Sequence, residues 1–352
     1  MSTHKFPYRW RLSDGYPSPG IDYHGSTVFG TFICGGGSTM GYKLAGYHHL
    51  GGVEIDPKVA SVYRANHAPE LLFVEDLRKF NDRTDLPDEL YSLDLLDGSP
   101  PCTTFSMAGD REDAWGVDKS FSEGGVKQRL DDLVFVYCDT IAKLRPKVCL
   151  LENVAGLLRG NAKSYAKRIY GRLNEAGYRV QVFLLSAANM GVPQLRQRTF
   201  FIGLRSDLAS KLPPLELHFD EPPIPFGEVR DRTDTTRNLS DLMYGLWLAR
   251  KPSDNEIGDI LRRQGGGNKY YTCAILSDER VAPTLTTVDQ IVLYDVPRKM
   301  NDRERLLCSS FPLDYRAEGS VMRVFITGMC VPPVMAAQIS HQIWLQWLSR
   351  LR

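Results

Sequence analysis

The chain has 352 residues, with 43 Lys and Arg against 42 Asp and Glu, a net charge of +1 and 43% hydrophobic residues. This length allows two domains with an ordinary hydrophobic core, and the composition is that of a globular protein rather than a disordered one. The balanced charge excludes a protein that coats nucleic acid by bulk electrostatics alone, although it leaves local basic clusters open.

The seven cysteines are irregularly spaced and include no CxxC pair, so they form the pattern of neither a disulfide framework nor a zinc site. No stretch approaches the roughly 18 consecutive apolar residues of a membrane span, and the N-terminus lacks the apolar core of a signal peptide. We therefore expect a cytoplasmic protein with reduced cysteines, no bound metal and no membrane association.

Strand and helix patterns alternate along the first 204 residues. The pattern predicts strands at 26–32, 48–54, 71–74, 92–97, 148–152, 179–185 and 199–204, and helices at 57–66, 130–144 and 162–175. This alternation is typical of an α/β fold with a doubly wound, mostly parallel sheet. The following stretch is Pro-rich and irregular. We expect a first domain over 1–204, a smaller irregular domain over 205–290, and a C-terminal segment, 291–352, that returns to the first domain.

A glycine-rich turn at 34–37 follows the first predicted strand. Such turns let the backbone approach a bound nucleotide or nucleoside closely. The turn does not match GxGxxG and is not followed by the Lys-Ser/Thr of a phosphate loop, which disfavours a diphosphate ligand. Glu54 and Asp56 end the next strand, where carboxylates suit the ribose hydroxyls of an adenosine-like ligand. A plain turn before a helix N-terminus is the alternative.

Pro100, Pro101 and Cys102 follow the fourth predicted strand, at the edge where ligands bind in open α/β sheets. The prolines hold this approach rigid, and a cysteine there can be an activated nucleophile, although a buried structural cysteine is the alternative. Glu152 ends the next buried strand. A carboxylate in that position is either an acid at a site or a cap for the following helix.

Arg196 and Arg198 precede the last predicted strand of the first domain, and their spacing predicts that both lie on one face. Fixed cations at the mouth of a strand can bind phosphate or polarise a carbonyl group. Each arginine taken singly could equally be a surface charge.

Taken together in chain order, these motifs resemble those of the DNA methyltransferases of prokaryotic or phage type that modify carbon 5 of cytosine. The matching motifs are FxGxGG at 32–37, the acidic residues Glu54 and Asp76, PPC at 100–102, ENV at 152–154, QxRxR at 194–198, RxxPTLT at 280–286 and GNxVPP at 328–333. The sequence departs from the family pattern at Cys34, which replaces a Gly, at Thr103, which replaces a Gln, and at Met329, which replaces an Asn.

The resemblance implies S-adenosylmethionine as the methyl donor and S-adenosylhomocysteine as the product. It implies covalent attack of Cys102 on carbon 6 of a flipped-out cytosine, with Glu152 at the ring nitrogen and amino group, and Arg198 with Arg196 at the carbonyl oxygen. The cofactor-binding residues that it implies are Phe32, Gly36, Gly37, Glu54, Ile55, Asp76, Leu77, Pro100, Met329, Cys330 and Val331.

The resemblance also implies double-stranded DNA as the substrate, with 205–290 as the target-recognition domain and a mobile lid at 107–126. The candidate DNA-binding residues are Ser106, Arg230, Arg232, Arg237, Arg262, Arg263 and Lys269. We expect a monomer. A restriction endonuclease acting on the same site is a candidate partner.

Three other functions compete with this interpretation. A tRNA cytosine methyltransferase would share the catalytic set, but its characteristic Cys-Phe-Thr tripeptide is absent from this sequence. A catalytically silent DNA-binding homologue would be expected to lose the nucleophile or the acid, whereas Cys102, Glu152 and Arg198 are all present. A nicotinamide-dependent dehydrogenase would need GxGxxG at the first turn, where the sequence lacks it.

Overall fold

The computed structural model describes residues 5–101, 132–160, 162–266 and 273–352, and the backbone of 119–121 and 126–128. Among the predicted functional residues, Cys102, Ser106 and Lys269 lie outside the described residues. So does the predicted lid at 107–126, apart from backbone at 119–121 and 126.

The described residues form strands and helices in alternation. The strands, in chain order, are β1 (Thr27–Thr31), β2 (His48–Glu54), β3 (Leu71–Val74), β4 (Leu95–Gly98), β5 (Lys119–Phe121), β6 (Val126–Gln128), β7 (Val148–Val154), β8 (Tyr178–Ser186), β9 (Gln194–Leu195), β10 (Gln197–Arg205), β11 (Ala274–Leu276), β12 (Ala282–Pro283) and β13 (Ile291–Leu293). The helices are α1 (Gly37–Leu44), α2 (Pro57–His67), α3 (Leu77–Asp82), α4 (Leu133–Leu144), α5 (Ala162–Glu175), α6 (Ser206–Ala209), α7 (Asp241–Leu248), α8 (Ile257–Arg263), α9 (Asp302–Cys308), α10 (Gly319–Met329) and α11 (Pro333–Gln346).

The chain divides into two compact units. The first, which we call the sheet unit, comprises Asp14–Ser186, Gln197–Phe219 and Pro333–Arg352. The second unit comprises Met1–Ser13, Ala187–Arg196 and Asp220–Pro332. The predicted recognition range, 205–290, therefore falls partly in each unit, and so does the C-terminal segment 291–352. The assignment of functions to those ranges stays a prediction.

A seven-stranded sheet in the order β3-β2-β1-β4-β7-β10-β8 organises the sheet unit. Strands β3, β2, β1, β4 and β7 pair in parallel, whereas β10 is antiparallel to both β7 and β8. The predicted doubly wound, mostly parallel sheet is confirmed, and all seven predicted strands belong to it. The order reverses between β1 and β4, and ligands bind at such a reversal outside the carboxyl ends of the strands.

Helices cover both faces of this sheet. On one face, apolar residues of α3, α4 and α5 pack against strand residues such as Phe29, Leu96 and Leu151 to form a buried core. Leu96 belongs to that core, while its neighbour Asp97 hydrogen-bonds with Ser38 and Tyr42 of α1. Because side chains alternate along a strand, α1 covers the opposite face.

The second unit contains two buried apolar clusters instead of a large sheet. One cluster joins Phe226, Leu293 and Leu307 with their neighbours, and the other joins Trp247, Ile257 and Val292 with theirs. The strands of this unit pair only as short ribbons within the described residues, β11 with β13 and β9 with β12. This agrees with the irregular composition of the sequence after residue 205.

The cysteines of the described residues are free thiols. They are Cys34, Cys138, Cys149, Cys273, Cys308 and Cys330. The stretch Gly319–Arg350 is long and apolar enough to cross a membrane, but 67% of its most apolar window is buried in the folded chain. Mostly buried core helices have the same composition, so this stretch is weak evidence for a membrane span.

Candidate active site

The glycine turn between β1 and α1 is shaped by a close contact with a histidine. Gly36 has φ +83°, and a Cβ atom there would lie 2.1 Å from Nε2 of His67. The same His67 nitrogen lies 3.1 Å from the carbonyl oxygen of Gly35. Burial lowers the pKa of His67 to about 3, so the ring is neutral as it packs under the turn. A glycine is therefore required at position 36 by both space and backbone conformation.

Cys34 occupies the left-handed region, with φ +47°. This region strains residues other than glycine, which explains why the family pattern has a glycine there. The Cys34 departure therefore has a conformational cost, in addition to the change in side-chain size.

Glu54 links two turns at the carboxyl edge of the sheet. Its carboxylate accepts hydrogen bonds from the backbone N–H groups of Cys34 and Asp56, both at 2.9 Å. Burial raises the pKa of Glu54 to about 7, although these two hydrogen bonds favour the charged form. Asp56 instead caps α2 by accepting from the Lys58 N–H at 2.8 Å. Asp56 is thus a helix cap, and Glu54 is the carboxylate held at the turn.

Asp76 follows β3 and accepts a hydrogen bond from the Arg78 N–H, which caps α3. The Arg78 guanidinium also lies 3.1 Å from the Asp76 carboxylate. Asp76 is therefore held in place beyond the end of β3, one strand outward from Glu54.

A further carboxylate, Asp97, was not among the predicted site residues. It is 5% exposed and lies near the carboxyl end of β4, where Ser38 and Tyr42 hydrogen-bond to it. Its Oδ1 atom has no hydrogen-bond partner in the described part of the chain. Burial raises the pKa of Asp97 to about 7. The signal that pointed to Glu54 and Glu152, an acid near the end of a buried strand, was also present here.

Glu152 and Arg198 form an ion pair at the edge of the sheet. Nε of Arg198 lies 2.9 Å from Oε1 of Glu152, and the two side chains are only 14% and 10% exposed. The register explains the contact: Phe200 is the direct partner of Glu152, and Arg198 lies two residues earlier on the same face. Burial lowers the pKa of Arg198, and the neighbouring Glu152 carboxylate opposes this effect.

Asn153 connects this pair to the loop that leads to Cys102. Its side-chain amide donates to the carbonyl oxygen of Pro100 at 3.4 Å, and its Oδ1 accepts from the Val154 N–H at 2.9 Å. Pro100 is buried, so the last described residues before Cys102 lie next to the end of β7.

Arg196 has different surroundings from Arg198. Its guanidinium is buried and donates to the carbonyl oxygens of Leu285, Gly328 and Met329, at 3.1–3.3 Å. The prediction of a shared face assumed one strand, but Arg196 precedes β10 and belongs to the second unit, whereas Arg198 lies within β10. The contacts of Arg196 are those of a residue that holds backbone segments of the second unit together.

Residues of the QxRxR, RxxPTLT and GNxVPP motifs meet around Arg196 and Gln194. Gln194 accepts from the Leu285 N–H at 3.1 Å, and Thr284 donates to the Leu195 carbonyl at 2.6 Å. Gly328 packs so closely that a Cβ atom would lie 2.3 Å from the carbonyl carbon of Thr286. Distant motifs thus form one packed cluster within the second unit.

The remaining predicted cofactor residues differ in exposure. In the sheet unit, Phe32 and Ile55 are partly buried, and Gly37, Leu77 and Pro100 are buried. In the second unit, Cys330 and Val331 are buried, whereas Met329 is 37% exposed.

The predicted DNA-binding arginines are mostly engaged in ion pairs within the second unit. Arg230 contacts Asp278 and Asp295, and Arg232 contacts Asp278, all within 2.9 Å. The pairs on and near α8 are Arg262 with Glu256 and Asp259, and Arg263 with Asp254. Arg237 is exposed and has no ion pair among the described residues. The described residues contain no group of three or more His, Cys, Asp or Glu side chains that could hold a metal ion.

The family model of C-5 cytosine-specific DNA methylase matches residues 28–344. Type II methyltransferase M1.HphI of Haemophilus parahaemolyticus is 27% identical over 90% of this chain and 86% of its own length. Type II methyltransferase M.Sau96I of Staphylococcus aureus is 28% identical over 90% of this chain and 75% of its own.

A solved structure has the same fold. It is a DNA modification methyltransferase encoded within a prophage of E. coli, 19% identical, with a TM-score of 0.62 over 91% of this chain and 99% of its own. The family model covers most of the chain, including every strand of the seven-stranded sheet except the first residue of β1. The chain therefore belongs to the C-5 cytosine-specific DNA methylases and is a DNA cytosine-5 methyltransferase.

Proposed function

We propose that the protein transfers a methyl group from S-adenosylmethionine to carbon 5 of a cytosine that is flipped out of a specific double-stranded DNA sequence. The observation that supports this most directly is the buried Glu152–Arg198 pair, which lies at the carboxyl end of β7. The neighbouring Asn153 hydrogen-bonds to Pro100, two residues before Cys102.

The carboxylate edge of the sheet fits S-adenosylmethionine better than a dinucleotide. Glu54 can accept hydrogen bonds from ribose hydroxyls, and the turn with Gly36 and Gly37 lets the backbone approach the ligand. Buried carboxylates would repel a diphosphate, whereas this cofactor carries hydroxyl groups and positive charge. When bound, it supplies an electrophilic methyl group on a sulfonium.

Within this proposal, the Cys102 thiolate forms a bond to carbon 6 of cytosine, which makes carbon 5 nucleophilic. Glu152 holds a proton at the ring nitrogen and accepts from the amino group, so that negative charge does not accumulate in the ring. Arg198 keeps Glu152 in place and offers guanidinium N–H groups to the carbonyl oxygen of the base. Carbon 5 then takes the methyl group and leaves S-adenosylhomocysteine. Its proton passes to water, and the bond between carbon 6 and sulfur breaks to return the Cys102 thiolate.

We assign the role at the carbonyl oxygen to Arg198 rather than Arg196, since Arg196 donates to three backbone carbonyls of the second unit.

Flipping the base out of the duplex costs a few kcal/mol, which contacts between protein and DNA must offset. Among the predicted arginines, Arg237 and the 66%-exposed Arg232 are the better candidates for DNA contacts. The type II names of the relatives support a companion endonuclease and action in the cytoplasm, and we propose a monomer.

The test is incubation of the full chain with labelled S-adenosylmethionine and either unmethylated mixed-sequence duplex DNA or tRNA, followed by bisulfite sequencing. We expect methylated cytosines in one short DNA sequence context. Transfer to tRNA alone would replace the proposed substrate, and transfer to neither would support the silent homologue.

The covalent step needs a separate measurement. In the presence of S-adenosylmethionine, a DNA duplex with 5-fluorocytosine at the target should form an adduct with the wild-type chain that resists denaturation, because carbon 5 then has no proton to lose. The Cys102→Ser variant should form none, whereas Cys138→Ala, which changes a thiol buried within the core of the sheet unit, should still form it. Trapping by Cys102→Ser would exclude Cys102 as the nucleophile.

A further inference from the structure

Asp97 is a buried carboxylate to which the reaction described above gives no role. Its side chain is 5% exposed, and its Oδ1 atom has no hydrogen-bond partner among the described residues. A buried carboxylate oxygen without a partner is costly, because the protein does not replace the hydrogen bonds lost from water. Such a group is explained when a ligand supplies the missing donor.

The position of Asp97 places it beside the proposed cofactor. Asp97 is the direct partner of Gly30 on β1, one residue before Thr31, and Thr31 donates from its hydroxyl to the Asp97 carbonyl at 3.1 Å. The glycine turn follows β1 directly. The Asp97 carboxylate contacts Ser38 and Tyr42 of α1, the helix that begins immediately after that turn.

Asp97 and Glu54 lie on opposite sides of β1. Glu54 ends β2 and Asp97 lies on β4, so two strand spacings, roughly 10 Å, separate their strands. An adenosine whose ribose is bound by Glu54, with its base toward Asp76 and β3, would extend its other end across β1 toward β4. The group at that end of S-adenosylmethionine is an amino acid with a primary ammonium.

We propose that Asp97 binds the α-ammonium group of the amino-acid portion of S-adenosylmethionine. The inference rests on the proposed function and adds a charged contact to the cofactor site. An ammonium offers three N–H donors and a positive charge, which match a buried carboxylate with an unused oxygen. Ser38, Tyr42 and the backbone N–H of Gly98 orient the carboxylate, and the ammonium supplies a donor to Oδ1.

The same face of the sheet carries Glu152, which raises the pKa of Asp97 by charge repulsion. Glu152 already has Arg198 as its cationic partner, at 2.9 Å. No Lys or Arg is paired with Asp97 among the described residues. Of the two buried acids, Asp97 is therefore the one that needs a positive charge from a ligand.

The experiment compares two ligands in calorimetric titrations of the full chain at pH 8. S-adenosylhomocysteine has the ammonium, whereas 5′-methylthioadenosine has the same nucleoside and a thioether but no amino acid. We expect Asp97→Asn to weaken binding of S-adenosylhomocysteine by roughly tenfold to a hundredfold, the range of a charge-assisted hydrogen bond. Binding of 5′-methylthioadenosine should change by less than about twofold.

Asp94→Asn, at the residue just before the start of β4, is the matched control. The Asp94 carboxylate accepts from the Thr27 N–H and pairs with Lys147, so its replacement should leave both affinities unchanged. Equal weakening of both ligands by Asp97→Asn would indicate a structural role and overturn the proposal, and so would no weakening of either. Weakening of S-adenosylmethionine without S-adenosylhomocysteine would assign Asp97 to the sulfonium instead.

The result also separates this inference from the proposed function. If the wild-type chain binds neither S-adenosylmethionine nor S-adenosylhomocysteine, the proposed cofactor is wrong. If the wild type binds both and Asp97→Asn binds them equally well, only the role of Asp97 is wrong.

Discussion

Arg198 and Glu152 lie on adjacent antiparallel strands, with Nε and Oε1 at 2.9 Å, and both side chains are largely buried. A buried ion pair carries a desolvation cost that its mutual attraction only partly offsets, so stability alone is a weak reason for its presence. At the edge of the sheet where ligands bind, the pair can instead hold an acid and a cation ready for a polar heterocycle.

Glu152→Gln should therefore lower the rate of methyl transfer by about a hundredfold or more, since the amide cannot hold the proton that the acid provides. Binding of S-adenosylhomocysteine, measured by calorimetry, should change little. Asp139→Asn removes an exposed ion pair with Arg172 and should keep the full rate. The double variant Glu152→Gln with Arg198→Gln should be less impaired than the product of the single effects. A Glu152→Gln rate within about threefold of wild type would contradict the assigned role.

A second buried ion pair has a structural role in the second unit. Both nitrogens at the end of Arg298 contact the Glu304 carboxylate, at 2.7 and 2.8 Å, and both residues are 0% exposed. Glu304→Gln removes the close counter-charge and leaves only Asp234, at 3.7 Å, beside the buried guanidinium, so it should lower the free energy of unfolding by about 3 kcal/mol. Urea titrations followed by tryptophan fluorescence would measure this, because Trp247 reports on the second unit.

The control for this prediction is again Asp139→Asn, where solvent screens the pair. It should lower the free energy of unfolding by less than about 1 kcal/mol. Equal losses in the two variants would show that burial does not set the strength of the Arg298–Glu304 contact.

The sequence predicted those features that depend on local pattern. The bounds of β2 and β3 agree with the prediction, and Glu152 is within β7 near its end as expected, because burial of a strand shows directly as an apolar run. Asp97 ends the predicted strand 92–97 and so carries the same signal as Glu54 and Glu152, but the sequence does not show that one of its carboxylate oxygens lacks a partner among the described residues. Its contacts with Ser38 and Tyr42 depend on how α1 packs on the sheet, which periodicity does not specify.

The partners of the arginines could not be predicted for a similar reason. Arg230 pairs with Asp278 and Asp295, which are 48 and 65 residues away in the sequence. Arg196 and Arg198 are two residues apart, yet they belong to different units. Strand alternation predicts a shared face only when both residues belong to the same strand, and β10 begins between them.

The left-handed backbone at Cys34 should reverse the usual order of stability between a glycine and an alanine variant. At common backbone angles glycine is less stable than alanine by roughly 0.5–1 kcal/mol, but the left-handed region costs a residue with a Cβ about 1–2 kcal/mol. With φ +47° at this position, Cys34→Gly should be at least as stable as Cys34→Ala. Melting temperatures of the full chain would compare them.

Ser61 is an exposed residue within α2, where helical backbone angles should give the usual order of stability. Ser61→Gly should be less stable than Ser61→Ala by about 1 kcal/mol, because glycine disfavours a helix interior. The same order of stability at both positions would show that the backbone angle at Cys34 carries no strain.

Asp97 should make the stability of the ligand-free chain depend on pH. Its pKa is raised to about 7 in the folded state, by burial and by charge repulsion from Glu152, against about 3.9 for an unfolded Asp. Between these values the folded state binds the extra proton, so the free energy of unfolding falls as pH rises, by at most about 1.4 kcal/mol per pH unit. Asn cannot titrate, so Asp97→Asn should gain stability relative to wild type from pH 4 to 7 and then keep a constant difference.

The buried histidines make the free energy of unfolding rise with pH, opposite to the effect of Asp97. The reason is that burial lowers the pKa of His67 to about 3 and that of His49 well below its ordinary value. Their protonation on unfolding destabilises both proteins equally at acid pH and cancels in the difference. Tyr42, Tyr63 and Tyr137 also interact electrostatically with Asp97, but their pKa values are raised far above this range. Urea titrations of both proteins from pH 4 to 8 would measure the difference. A difference that stays flat across this range would mean that Asp97 is ionised throughout and already has a partner in the ligand-free chain.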